Sequence, residues 1–238
     1  MSNILEIRNL VSGYVPGVDI LHGIYLNLKC GEAVGVLGLN GSGKSTLGRS
    51  IVGLTPFRKG EIVYKGQDIT GMSTDTLAKE GVRIMHQGGL VFPVLTVWDN
   101  LAVACGGSPE SLIARLSDFI PILGCEEKWM KKMMADKLSG GQRHQLALAM
   151  TLATDPSLVV LDEPSAGLSP KAVDEMYVML TKMQEKMGLS IILIEQNISK
   201  AIGFCDRCLL INQGKVEKEF TSKEITEVEK VMFSSVKM

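Results

Sequence analysis

A run of eight residues, Gly38-Leu39-Asn40-Gly41-Ser42-Gly43-Lys44-Ser45, restricts the fold more than any other feature of this chain. The run fits the pattern GxxxxGK[ST], a glycine-rich loop whose backbone N–H groups surround phosphate oxygens. Residues 32–37 before it form an apolar stretch typical of a buried parallel strand, and residues 46–54 after it suit a helix. Strand, loop and helix in this order indicate a phosphate-binding loop rather than a flexible turn.

Within the loop, the residue types predict separate roles toward a bound nucleotide. Lys44 is expected to reach the β- and γ-phosphates, and the Ser45 hydroxyl is expected to ligate magnesium. Backbone N–H groups and the positive end of the following helix add attraction for phosphate. The expected nucleotide-binding residues of the loop are Gly38, Asn40, Gly41, Ser42, Gly43, Lys44, Ser45 and Thr46. The expected cofactors are therefore ATP and Mg²⁺.

Apolar runs and helical periodicity alternate around the loop, which predicts an α/β fold. Further strands are expected at residues 4–10, 20–28, 62–64, 158–161 and 190–194. A helix is expected from Pro170 to Gly188, because proline suits the first helical position and glycine the C-terminal cap. Alternation of this kind favours a mostly parallel sheet with helices on both faces.

The middle of the chain differs, because its pattern becomes helical. Ser108-Pro109 is typical of a helix start, and the apolar residues that follow at helical spacing are Leu112, Ile113, Leu116, Phe119 and Ile120. We interpret residues 88–137 as a helical insertion in a single domain spanning 1–238. Residues 1–87 and 138–238 then form the nucleotide-binding core and its β subdomain. A group of large side chains in the insertion is either a docking patch for a partner's helix or part of the insertion's own core. This group is Trp129, Met130, Met133 and Met134.

Two adjacent acids end the apolar run at residues 158–161. Neighbouring residues on a strand point to opposite sides, so one carboxylate can face a metal ion while the other faces an attacking water. Asp162 is the expected magnesium-side residue, and Glu163 is the expected base that orients and deprotonates water. Alone, the pair could equally be two solvated charges at a strand end; the phosphate loop upstream favours the catalytic interpretation.

A second glycine motif, Leu138-Ser139-Gly140-Gly141-Gln142, precedes a helical stretch. A serine and two glycines at a helix N-terminus make a second anion site. A head-to-tail dimer explains two phosphate-binding elements in one chain, because each ATP then lies between the phosphate loop of one chain and the second motif of its partner.

With these three elements in order, the chain resembles the ATP-binding subunits of ABC transporters, in which LSGGQ, here residues 138–142, is the signature motif. The resemblance runs from about Ile4 to Gly214. It implies a P-loop NTPase fold of the ABC ATPase type, with a mostly parallel core sheet, an antiparallel β subdomain and a helical insertion. It also implies a magnesium-dependent ATPase coupled to transmembrane transport, with Ser139, Gly140, Gly141 and Gln142 contacting ATP. The implied partners are a second ATPase subunit, identical or not, permease subunits and, indirectly, a solute-binding protein.

The resemblance assigns two further positions. Tyr14 follows the first strand, where the family places an aromatic residue that stacks on adenine; the alternative is an ordinary tyrosine of an edge strand. Gln87 matches the glutamine at the entry to the helical insertion, which contacts magnesium or the attacking water and senses the γ-phosphate. The alternative for Gln87 is a polar hinge residue.

Two positions depart from the family pattern. Ser169 stands where the family usually has aspartate, so the resemblance does not imply for this chain the contact that this aspartate makes across the dimer. Gln196 stands where the family usually has a histidine that touches the γ-phosphate. A glutamine amide still donates a hydrogen bond but carries no charge. The resulting hypothesis is that turnover persists through Glu163 but is slower than with histidine.

Both departures resemble one subgroup, the ATPase subunits of importers for branched-chain amino acids and for urea or amides. The run at residues 91–97 followed by Asp99-Asn100-Leu101 is similar to the same subgroup. An importer motor is therefore the main functional prediction. The alternatives are an ATP-gated dimerisation switch with little hydrolysis and an ABC-type ATPase that works without a permease.

Charge and hydropathy restrict location and partners. The net charge of −1 gives no electrostatic case for nucleic-acid binding, and no stretch reaches the ~20 apolar residues of a membrane span. A cytoplasmic protein, peripheral on the inner membrane face through permease subunits, is expected. Of five cysteines, Cys205 and Cys208 are either a metal or redox pair or two small buried residues. A short helix is expected at residues 221–238.

Overall fold

The computed structural model describes residues 2–196 and 198–221. Its strands are β1 (Asn3–Gly13), β2 (Leu21–Lys29), β3 (Ala33–Leu37), β4 (Phe57–Tyr64), β5 (Gln67–Asp68), β6 (Val82–Met85), β7 (Leu158–Asp162), β8 (Ser190–Glu195), β9 (Arg207–Asn212) and β10 (Lys215–Thr221). Its helices are α1 (Lys44–Ile51), α2 (Thr74–Lys79), α3 (Val97–Cys105), α4 (Glu110–Leu116), α5 (Glu127–Met130), α6 (Gly140–Thr151), α7 (Pro170–Met187) and α8 (Ile198–Phe204). Beyond Thr221, the expected tail helix lies outside the described residues.

A six-stranded sheet in the order β10-β9-β3-β8-β7-β6 forms the centre of the molecule. Strands β9, β3, β8, β7 and β6 are parallel, and β10 pairs with β9 as an antiparallel edge. Every residue of β3, β7 and β8 is buried, since both faces of these strands are covered. The predicted mostly parallel α/β core is confirmed.

Strands β2, β1, β4 and β5 form a separate antiparallel sheet in that order, which is the predicted β subdomain. The prediction for β4 was too short, because the strand begins at Phe57 rather than Ile62. Residues 58–61 are polar or glycine and show no apolar alternation, so the sequence did not indicate the pairing of Arg58 with Ser12 and of Phe57 with Gly13. The predicted helix at residues 46–54 was also wrong in its bounds, because α1 begins at Lys44 and ends at Ile51. Gly53, with a positive φ of 77°, does not continue the helix.

Helix α1 packs between the two sheets. Leu47 and Ile51 are fully buried in a core shared with Leu5 of β1 and Val160 of β7. Gly48 faces this core sheet so closely that a Cβ there would lie 2.6 Å from Ile194 Cδ1. The helix that follows the phosphate loop therefore packs closely against both sheets.

Residues 88–137 carry α3, α4, α5 and 3₁₀ turns at Pro121–Gly124 and Ala135–Lys137. Leu101 and Leu116 of this segment belong to the same buried cluster as Leu161 of β7, so its core is continuous with one face of the central sheet. Met130 is 2% exposed within that cluster. The other large side chains of the suggested docking patch pack partly buried around the same region, and Trp129 and Met133 contact the core.

Cys205 and Cys208 are two buried free thiols beside Gly35 of β3. A Cβ at Gly35 would lie 2.6 Å from Cys208 Sγ, so the thiols fill the space that a side chain on β3 would need. In the described part of the chain, no group of three or more His, Cys, Asp or Glu residues could hold a metal ion. The buried-residue interpretation therefore accounts for the pair.

No helix within the described residues is long and apolar enough to cross a membrane.

Candidate nucleotide-binding site

The carboxyl ends of β3, β7 and β8 meet at one edge of the central sheet, where ligands bind in open α/β folds. The phosphate loop leaves β3, and β7 ends at Asp162 with Glu163 directly after it. Gln196 follows the last residue of β8. Parallel register thus brings all three predicted segments to one place.

The phosphate loop requires glycine at Gly38 and Gly43 for different reasons. A Cβ at Gly38 would lie 2.2 Å from the Ile211 carbonyl oxygen. Gly43 is the N-cap of α1 with a left-handed φ of 106°, and no side chain caps the helix there. The first turn of α1 therefore presents backbone N–H groups at the loop, as phosphate binding needs.

Lys44 is 4% exposed, and its ammonium points back into the loop. Nζ donates hydrogen bonds to the carbonyl oxygens of Gly38 and Leu39, each at 2.9 Å. Burial lowers the pKa of Lys44, and the charges of Glu163 and Asp162 act in the opposite direction. A phosphate oxygen can replace either carbonyl partner and would compensate the buried charge better.

Ser45 and Asp162 form the pair expected at a magnesium ion. Ser45 Oγ donates to Asp162 Oδ1 at 2.9 Å, and Asp162 is 3% exposed. Burial raises the pKa of Asp162, against the hydrogen bond from Ser45 and the charge of Arg49, which lower it. A hydroxyl and a carboxylate oxygen are ligands that Mg²⁺ prefers. A buried carboxylate whose ionised form lacks a full counter-charge also fits a cation, so the residues present suit the ion.

Glu163 is held by two amide side chains that are distant in sequence. Gln87 Nε2 donates to Glu163 Oε2 at 2.8 Å, and Gln196 Nε2 donates to Glu163 Oε1 at 2.5 Å. The backbone N–H of Glu163 bonds the Ile194 carbonyl at 2.9 Å, and its φ is +48°. Positive φ in a residue with a side chain is a sparsely populated conformation that surrounding contacts must maintain.

A cavity of about 380 Å³ joins these groups. Its lining residues are Ile20, Asn40, Gly41, Gly43, Lys44, Ser45, Thr46, Gln87, Glu163 and Gln196. Ile20, the residue before β2, is the lining residue that the sequence analysis missed. It lies near the loop only in the folded chain, where a Cβ at Gly43 would be 3.7 Å from Ile20 Cγ2. The volume lies within the range of small-ligand sites.

Tyr14 and the signature motif lie outside this cavity's lining. Tyr14 is 40% exposed, and its hydroxyl accepts a hydrogen bond from Arg49 Nη1 at 3.1 Å. Ser139 caps α6 through a capping box: its Oγ accepts from the Gln142 N–H at 3.3 Å, and Gln142 Oε1 accepts from the Ser139 N–H at 3.0 Å. Because neither Tyr14 nor the signature motif lines the cavity, stacking by Tyr14 and ATP contact by the motif stay predictions.

Sequence reasoning also missed Glu195, the last residue of β8. Its side chain is 2% exposed and contacts both Ser165 and Gln196. The only signal in the sequence was an acid at the end of an otherwise apolar strand.

Ser169 has a structural role that the sequence left open. It is the N-cap of α7, and its Oγ accepts a hydrogen bond from the Ala172 N–H at 3.4 Å.

Residues 21–166 match the family model described as ABC transporter. A probable branched-chain amino acid transport ATP-binding protein, LivF of Archaeoglobus fulgidus, is 34% identical over 95% of this chain and 95% of its own length. BraG of Pseudomonas aeruginosa, a high-affinity branched-chain amino acid transport ATP-binding protein, is 30% identical over 87% and 88% of the two chains. LptB of Escherichia coli, a lipopolysaccharide export ATP-binding protein, is 29% identical over 95% and 94%.

Solved structures agree with these relatives. The cbiO1 protein of Clostridium perfringens, part of the transporter complex cbiONQ, superposes with a TM-score of 0.82 at 28% identity, covering 97% of this chain and 93% of that one. The dimeric ATP-binding cassette MJ0796 bound to ADP and Pi gives a TM-score of 0.78 at 25% identity, covering 92% and 98%. The chain therefore belongs to the ABC transporter family, as an ATP-binding motor subunit whose ATP hydrolysis is coupled to transport.

Proposed function

We propose that this chain powers an importer of branched-chain amino acids or a related small polar solute, with Glu163 as the base for magnesium-dependent ATP hydrolysis. The observation that carries the catalytic part is the convergence of Gln87 and Gln196 on the Glu163 carboxylate, beside Lys44 in one cavity. Such a carboxylate, poised next to the γ-phosphate position, can accept a proton from water.

The charged and amide side chains around the cavity then divide the tasks of hydrolysis. Lys44 and the N–H groups of α1 neutralise the phosphates, and Gln87 and Gln196 orient the Glu163 carboxylate and donate to the attacking water or γ-phosphate oxygens. Ser45 and Asp162 would hold Mg²⁺, with Gln87 as a further ligand. The ion supplies charge neutralisation at the phosphate oxygens.

The signature motif supports a composite site built from two chains. Ser139 and Gly140 are exposed at the start of α6, and neither lines the cavity formed by the phosphate loop of the same chain. A head-to-tail arrangement with a second ATPase subunit, identical or different, would bring this helix terminus to the γ-phosphate. The similar cassette MJ0796 is dimeric in a structure bound to ADP and Pi, which supports a dimer for this chain.

A surface groove of about 360 Å³ supports docking of permease subunits. It lies next to the segment that follows Gln87, and Leu90, Phe92 and Val103 on its walls are 67%, 47% and 55% exposed. Exposed apolar side chains around a groove are typical of protein contact sites. A permease segment seated here would touch the segment that carries Gln87, so ATP binding and permease movement would be mechanically linked. The protein would then act at the cytoplasmic face of the membrane.

The solute class rests on the subgroup. Gln196 and Ser169 match the branched-chain amino acid and urea or amide importers, and LivF and BraG are relatives at 34% and 30% identity. Uptake of leucine by cells that lack this chain tests the class, with spermidine uptake as the control. Loss of leucine uptake with unchanged spermidine uptake is expected. If leucine uptake is unchanged, uptake of urea and short amides is measured next, and the assignment is contradicted when these are unchanged too.

Catalysis is tested by comparing steady-state ATPase activity of the wild type and Glu163→Gln. Loss of a general base lowers turnover by about 10²–10⁴-fold, while ATP binding is expected to persist because the phosphate loop is unchanged. Equal turnover in both proteins would refute the role of Glu163.

Docking at the groove is tested with Val103→Glu. This variant is expected to abolish binding to membrane vesicles that come from the source organism and have been stripped of peripheral proteins. The matched control is Val178→Glu, because Val178 is also 55% exposed but lies on α7.

A further inference from the structure

Glu195 is a buried acid that the roles described above do not use. It ends β8, is 2% exposed, and pairs in register with Leu37, the last residue of β3 before the phosphate loop. A carboxylate in such a place costs free energy unless donors satisfy it. Glu195 lies at the end of the strand beside the phosphate loop, so the donors within its reach belong to segments of the nucleotide site.

The two carboxylate oxygens of Glu195 contact two different segments. Oε1 accepts a hydrogen bond from the Ser165 N–H at 3.2 Å, and Oε2 accepts one from the Gln196 N–H at 3.1 Å. Ser165 lies two residues after Glu163, and Gln196 donates directly to Glu163. One side chain therefore joins the segment after the base to the residue that orients the base.

The surroundings of Glu195 restrict its movement. Ile194, its neighbour on β8, packs in the core with α1, so alternation along the strand directs Glu195 to the opposite face. On that face Tyr177 of α7 is 8% exposed, and burial, together with the charge of Glu195, raises the pKa of its hydroxyl. The Glu195 carboxylate also attracts the Lys44 ammonium.

We propose that Glu195 is a positioning residue for ATP hydrolysis, holding Gln196 and the segment 164–169 at a set distance on either side of Glu163. The positive φ of Glu163 needs fixed neighbours, and Glu195 supplies them from both sides. Without it, the Glu163 carboxylate loses alignment with the water, although the phosphate loop still binds ATP. The proposal rests on the proposed role of Glu163 as base, and it requires no permease.

Turnover kinetics of the purified chain test the proposal. Glu195→Ala is expected to lower kcat about 10- to 100-fold, because small misplacements of a reacting group have effects of this size, with KM for ATP changed less than about twofold. Glu195→Gln keeps one acceptor oxygen and is expected to fall between wild type and Glu195→Ala. The control is Asp206→Asn, since Asp206 Oδ2 accepts the Ala33 N–H at 2.8 Å at the opposite end of the sheet. This control is expected to leave kcat unchanged.

A double-mutant cycle separates positioning from a general structural role. If Glu195 acts through Gln196, the effects of Glu195→Ala and Gln196→Ala on kcat are expected to be less than additive. Hydrogen exchange of the Ser165 amide gives a readout independent of activity, and it is expected to accelerate in Glu195→Ala but not in Asp206→Asn.

Three results would each overturn the proposed role of Glu195. Wild-type kcat and Ser165 exchange in Glu195→Ala would overturn the proposal while leaving the role of Glu163 intact. Additive effects in the cycle would overturn it in favour of a structural role. If Glu163→Gln turns over as fast as wild type, the group that Glu195 positions is not the base, and both proposals fall.

Discussion

Gln196 Nε2 donates a hydrogen bond to Glu163 Oε1 at 2.5 Å, although 33 residues separate them in the chain. The contact exists because β7 and β8 are parallel neighbours, with Asp162 opposite Ile194. A neutral amide can hold the carboxylate but cannot add positive charge near a γ-phosphate. This pair therefore tests how much of the hydrolysis rate depends on charge at position 196.

Gln196→His is expected to raise kcat for ATP, since a histidine can still hold Glu163 and its protonated form adds charge. The gain is expected to be about 3- to 10-fold near pH 6 and to shrink above the ordinary histidine pKa of about 6.5. ATPase rates between pH 5.5 and 8.5 check this. Gln196→Asn, which keeps an amide on a shorter side chain, is the control and is expected to be slower than wild type. A flat pH profile for Gln196→His, with no gain in kcat, would contradict the hypothesis.

Asp162→Asn is expected to stabilise the nucleotide-free protein while abolishing its response to magnesium. Burial raises the pKa of Asp162 above its unfolded value, so stability falls as pH rises between the two values, and the ionised form at pH 7 is a cost to folding. An asparagine removes this cost and still accepts the Ser45 hydrogen bond. A gain on the order of 1 kcal/mol corresponds to about 2–4 °C in Tm for a chain of this size.

Thermal melts with and without Mg²⁺ and ATP check the Asp162 prediction. The Tm of the wild type is expected to rise more with ATP and Mg²⁺ together than with ATP alone. Asp162→Asn is expected to show no difference between these two conditions. A lower Tm for the nucleotide-free variant would show that the buried charge is not a cost.

His144→Gln is expected to reduce the loss of stability at acid pH. His144 is 8% exposed, its Nδ1 lies 3.0 Å from the Gly140 carbonyl oxygen, and burial lowers its pKa. Because the folded state binds the proton more weakly than the unfolded state, stability is lost as pH falls below about 6.5. Urea unfolding at pH 7.5 and 5.5 measures this. The difference between the two pH values is expected to be smaller in the variant; an equal difference would assign the effect to other groups.

Ser169→Asp is expected to leave stability within about 0.5 kcal/mol of wild type, since aspartate caps helices as well as serine does. Ser169→Ala removes the acceptor for the Ala172 N–H and is expected to cost about 0.5–2 kcal/mol. If the family's aspartate makes a contact across the dimer, Ser169→Asp also strengthens ATP-dependent dimerisation. Urea unfolding and sedimentation of the two variants measure both effects. Equal stability of all three proteins would show that the cap contributes little.

Local sequence determined the elements whose physics is local. The phosphate loop is readable because glycines, lysine and serine act within eight consecutive residues, and the paired acids are readable because they end an apolar strand. The capping box of Ser139 and Gln142 is likewise a four-residue geometry. In these cases, residue type and spacing are enough to predict the backbone and its chemistry.

Only the tertiary structure decided which distant side chains act together. Gln87 and Gln196 reach Glu163 from 76 and 33 residues away, because parallel strand register brings the carboxyl ends of β6, β7 and β8 to one edge. Resemblance to a family had suggested both glutamines as site residues, but no pattern predicted that they would hold the same carboxylate. No sequence motif indicated Glu195. Its two hydrogen bonds with backbone N–H groups form only when β8 lies between β3 and β7. Such contacts depend on pairing and burial over long sequence separations, which spacing along the chain does not encode.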